Sequence, residues 1–92
     1  MTEALLDGDK VRDKEGLHGW LAKSLGFLDW YGGNLDALYD CLTDLSEDVR
    51  LVIVHRDKLR AHLGPYGDRL FRVFSQAAQD NPRFQFVLQE EA

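Results

Sequence analysis

The amino-acid sequence predicts an α/β fold in which helices pack against a parallel sheet, and three observations carry that expectation. Leu51-Val52-Ile53-Val54 is an apolar run without alternation, the pattern of a strand buried on both faces. Shorter strand-like segments near each end of the chain are separated from it by helical patterns, so the connections are long crossovers and the strands are parallel. With 92 residues, 45% of them hydrophobic and 29% charged, the chain fits one packed domain over residues 1–92.

Each element has its own signal. Residues 4–6 are a brief apolar strand closed by the turn Asp7-Gly8-Asp9. Leu17, Trp20, Leu21 and Leu25 recur at helical spacing between Asp13, a helix-capping residue, and Gly26, a helix stop. Residues 27–33 combine three aromatics with a glycine pair and read as a loop. Asn34 caps a second helix expected to reach Leu45, with Leu35, Leu38, Leu42 and Leu45 as its core-facing stripe. The central strand covers residues 50–56, and a short helix over 57–63 is stopped by Gly64-Pro65. Leu70, Val73, Phe74, Ala77 and Ala78 mark a last helix ended by Asn81-Pro82. Phe84, Phe86 and Leu88 alternate with Gln85 and Gln89, as in an edge strand with one dry face.

The net charge of −5 is unevenly spread. Residues 24–49 hold Asp29, Asp36, Asp40, Asp44, Glu47 and Asp48 and no Lys or Arg, whereas the final 43 residues are net positive. Asp36, Asp40 and Asp44 repeat every four residues on the second helix and stack along one side of it. Like charges at that spacing weaken a helix by a few tenths of a kcal/mol per pair, and no base stands at the compensating positions. Tyr39 and Thr43 are expected beside Asp40, and Trp30-Tyr31-Gly32-Gly33 adjoins the helix. The pattern reads as a surface for a basic partner. The acidic balance argues against binding nucleic acid, which relies on Lys and Arg displacing counterions. No apolar stretch approaches the ~20 residues of a membrane span. The single cysteine, Cys41, cannot form an internal disulfide, and residues 1–10 lack a signal-peptide pattern, so a cytoplasmic location is expected.

The run Tyr31-Gly32-Gly33-Asn34-Leu35-Asp36-Ala37-Leu38-Tyr39-Asp40-Cys41-Leu42-Thr43, with Leu17-His18, Leu21 and Leu25 ahead of it, resembles the Tyr-Gly-x-Asn-Leu-Asp-Ala-Leu-x-Asp-Cys-Leu-Thr motif of the barstar-type ribonuclease inhibitor family. The resemblance implies a three-stranded parallel sheet with packed helices. It also implies a one-to-one complex with a basic secreted ribonuclease of the barnase type, whose active site receives the second helix and its preceding loop. On that pattern Asp40 meets the bases that hold the scissile phosphate and Asp36 meets a second basic site. Trp30, Gly32, Asn34, Leu35, Tyr39, Thr43, Asp44 and Gln76 complete the patch. The chain departs from the pattern where Tyr39 and Leu45 stand for tryptophans, Trp30 for a tyrosine, and Gln76 for an acid.

Enzymatic readings find less support. Cys41, His18, His55 and His62 form no recognised catalytic spacing. A straight helix holds carboxylates ~6 Å apart per turn and cannot wrap a divalent cation. No metal or cofactor is expected, and the free protein is expected to be a monomer. A small acidic enzyme with a carboxylate-lined cleft for a cationic substrate is the alternative.

Overall fold

The computed structural model describes residues 1–27 and 31–89. The element order is β1 (Thr2–Asp7), α1 (Lys14–Leu25), α2 (Leu35–Thr43), β2 (Val49–Val54), α3 (Arg56–Leu63), α4 (Pro65–Asp80) and β3 (Phe84–Gln89). The three strands form one sheet in the order β1-β2-β3, with both pairings parallel. The expected three-stranded parallel sheet with packed helices is therefore the observed fold.

Local chemistry sets the boundaries. Asp13 accepts from the Gly16 amide at 2.7 Å to open α1, and Gly26 closes it in the left-handed region at φ 73°. Helix α2 stops at Thr43 instead of running to Leu45. Its last turn holds no base, and Asp44 follows at the end where the helix dipole disfavours a negative charge. Strand β2 ends at Val54 because His55 takes a left-handed conformation and turns the chain into α3. Helix α4 begins at Pro65, ahead of the expected apolar residues, since proline suits the first helical position and Gly64 serves both as the stop of α3 and the start of α4.

All four helices contribute to one core. Leu17 and Leu21, Leu38 and Leu42, Leu59 and Leu63, and Leu70, Phe74 and Ala77 gather against Leu6, Leu51, Ile53 and Phe84. This is one face of the sheet. The residues between them, Leu5, Val52 and Val87, sit side by side in register on the other face, outside that core. Val52 is 7% exposed, but Leu5 is 57% exposed. The central strand is thus dry on both sides, as expected, although helices cover only one of them; on the other, Val52 is sheltered within a row of apolar strand residues.

Candidate functional site

Helix α2 lies against α4, which turns one side of it inward and leaves the other in solvent. Leu38 and Leu42 are fully buried, while Asp36, Asp40 and Asp44 are all exposed. Asp36 and Asp40 line a cleft of about 440 Å³ between α2 and α4, together with Leu35, Tyr39, Arg72 and Gln76. Asp40 and Asp44 also line a cleft of about 690 Å³ on the opposite flank, whose apolar lining includes Leu25, Phe27 and Leu45. Asp40 therefore crowns a ridge between two hollows.

The six acids of the middle segment divide into two groups. Asp48 is 3.5 Å from the Arg83 guanidinium, and Glu47 accepts a hydrogen bond from the Thr2 hydroxyl at 3.1 Å. Asp36, Asp40 and Asp44 form no side-chain hydrogen bond or ion pair among the described residues, whose other bridges join Arg50 to Glu3, His55 to Asp7 and Arg60 to Asp68. Among the described residues no lysine or arginine pairs with the ridge, although the chain has eleven of them. The unbalanced field reaches its neighbours. Burial pushes the Cys41 thiol up, and Asp40 and Asp44 push it further, which keeps it protonated and unreactive.

The other residues expected at the site have defined positions. Gly32 and Asn34 are exposed on the loop and at the helix start, and the Asn34 side chain accepts from the Ala37 amide at 2.8 Å. Gly33, at φ 66°, supplies the left-handed step that lets the loop enter the cap. Leu35 is half-buried, packed on the core as well as lining the cleft. Thr43 donates its hydroxyl to the Tyr39 carbonyl at 2.9 Å, so its oxygen faces a partner only as an acceptor. Trp30 lies outside the described residues.

Tyr39 differs most from expectation. Its ring packs against the core between α2 and α4, and its hydroxyl donates to the Asp80 carboxylate, a bond that raises the tyrosine pKa. Gln76 donates to the same carboxylate at 3.2 Å. Asp80 thus stands where Gln76 itself brings no charge, whereas Asp68 is held by Arg60 at 3.1 Å. Arg72, Gln76 and Asp80 recur every four residues on α4, a spacing that the sequence displays but that an apolar-stripe reading passes over.

Two contacts fix the site from behind. The buried Asn81 side chain donates to the Leu42 carbonyl at 2.9 Å and so satisfies one of the open carbonyls at the end of α2. The His18 ring, 4% exposed, is bonded by the Tyr31 hydroxyl at Nδ1 and by the Tyr66 hydroxyl, 2.6 Å away, at Nε2. A neutral imidazole donates from one nitrogen and accepts at the other, so one tyrosine gives a proton to this clasp and the other receives one. Burial holds His18 below its ordinary value and Tyr31 well above its own. His55 and His62 are engaged separately, by Asp7 at 2.8 Å and by the Val11 carbonyl at 3.0 Å.

The family described as Barstar (barnase inhibitor) matches the chain over residues 1–89. The chain belongs to the barstar family. A Bacillus subtilis (strain 168) relative named "Putative ribonuclease inhibitor YrdF" is 36% identical over 81 residues, covering 87% of this chain and 89% of that protein. The α4 side of the cleft carries Arg72 and Gln76, with Asp80 bonded to Gln76.

Proposed function

We propose that this protein is an inhibitor of a secreted basic ribonuclease of the barnase type, and not an enzyme. It acts in the cytoplasm and closes the nuclease active site in a one-to-one complex. The observation that carries the reading is the row Asp36, Asp40 and Asp44, exposed on a helix and unneutralised among the described residues, in a chain of the barstar family. Such a row gives up helix stability and is explained by a cationic receptor outside the chain. A ribonuclease active site is one, because it must hold the phosphates of its substrate. Carboxylate oxygens spaced along α2 take the place of those phosphates and form charge-assisted hydrogen bonds with the arginines and lysines that bind them. The Tyr31-Gly32-Gly33-Asn34 entry sets the loop beside the ridge.

The test is inhibition of barnase by the purified protein. Asp40→Ala should weaken inhibition at least a hundredfold, about 2.7 kcal/mol, with an unchanged or higher melting temperature because like-charge repulsion along α2 is relieved. Inhibition untouched by Asp40→Ala and by Asp36→Ala would remove the ridge from the mechanism.

A further inference from the structure

We infer that Arg72 is a partner-selecting residue: it disfavours a nuclease whose bases fill the whole α2–α4 cleft and favours one that turns a carboxylate toward α4. The inference rests on the inhibitor reading above and specifies the kind of partner that the same surface takes.

The cleft lining holds charges of both signs. Asp36 and Asp40 stand on the α2 side and Arg72 stands with Gln76 on the α4 side. Arg72 is exposed and, like the two aspartates, makes no side-chain hydrogen bond or ion pair among the described residues. It shares the cleft with two carboxylates yet is not bonded to either, so it does not neutralise the ridge. Nor is it occupied on its other side. There it lines a second hollow with Arg56, Arg60 and Asp68, and the acid of that group is already engaged by Arg60. Arg72 therefore sets an exposed positive charge in a cleft that two carboxylates of the ridge also line.

A purely basic pocket entering this cleft gains on α2 and is repelled on α4. A pocket that presents bases beside one acid satisfies both walls, and a guanidinium suits a carboxylate through paired N–H donors. Unpaired charge placed against the wrong partner is a general source of discrimination between related interfaces. Gln76 brings no charge of its own and spends its amide on the Asp80 carboxylate one turn further along α4, so Arg72 is the charged side chain that α4 contributes to the lining of this cleft.

The experiment compares wild type, Arg72→Gln and Arg72→Glu as inhibitors of barnase, alongside Asp40→Ala. Inhibition should tighten about tenfold with Gln and further with Glu, more so at low salt, with melting temperatures unchanged. In a second arm, barnase variants that each carry one active-site arginine or lysine changed to glutamate are titrated against the same set. At least one should reverse the order and bind wild type more tightly than Arg72→Glu. Equal or weaker inhibition by both Arg72 variants, or no reversal with any barnase variant, overturns the role of Arg72 and leaves the inhibitor reading standing. No inhibition by any variant, or none lost on Asp40→Ala, overturns the inhibitor reading and this proposal with it.

Discussion

Gly8 shows how little room the strand-to-helix junctions leave. Its amide donates to the Val54 carbonyl at 2.9 Å, and a Cβ added there would lie inside van der Waals contact with the His55 carbonyl oxygen and 2.7 Å from the Leu59 side chain. Gly8→Ala should therefore cost about 1–3 kcal/mol or more, because backbone cannot move aside as a flexible side chain can. Denaturant unfolding checks this, and a loss below ~0.5 kcal/mol would mean that the junction yields freely. Individual residues also show what the sequence makes visible. Asp13 and Asn34 were legible as caps because each bonds an amide only three residues ahead. Tyr39 lines one cleft with Asp40, as expected, but its bond to Asp80 was not legible, because that partner lies 41 residues away on another helix. The acids of the ridge were readable as a row, but their lack of a counter-charge, and the capture of Asp48 by Arg83, depend on how β3 returns beside β2.

At the scale of elements, the helix that carries the ridge is held by neighbours that contribute no charge to it. Asn81 closes its end, and the His18 clasp ties α1, the loop at Tyr31 and the start of α4 together. Because burial lowers the folded-state pKa of His18 below its ordinary 6.5, the unfolded chain takes up a proton that the folded one refuses. Stability from the neutral ring is complete above about pH 6.5 and falls as the pH drops from there toward the lowered folded value. The melting temperature should decline on acidification from pH 7.5 to 5.5, and His18→Gln should flatten that decline. An identical slope in both proteins would assign it to other groups. Asp7, whose pKa is lowered chiefly by its hydrogen bond with His55, acts in a separate window, since its contribution is lost only as the pH falls below about 3.8. Helix existence was legible from apolar periodicity, whereas the helix ends followed dipole and cap chemistry that periodicity does not register. The one-sided cover of the sheet was also hidden, because Leu51-Val52-Ile53-Val54 looks the same whether helices or strand neighbours cover its second face.

For the molecule as a whole, charge separation along the chain becomes separation in space. An acidic ridge stands on α2, and a cluster of arginines lines the far side of α4. Attraction between an exposed acidic surface and a basic cleft acts before contact, so it raises the encounter rate and is screened once the Debye length falls below ~10 Å. The association rate with barnase should drop about tenfold or more between 0.05 and 0.5 M salt while the dissociation rate changes little. Stopped-flow mixing measures both, and a rate indifferent to salt would count against long-range attraction. Arg72 introduces a contrary local field, so its removal should steepen that dependence.

The half-open sheet gives the surplus of negative charge a second use. Strands β1 and β3 both end the sheet with unpaired backbone groups on their outer sides among the described residues, and Leu5 offers a greasy foothold next to one of them. Those are the conditions under which copies of a protein zip together edge to edge. A net charge of −5 opposes such meetings through like-charge repulsion, so on the proposed reading the carboxylates offered to a cationic partner would also disfavour association between identical molecules.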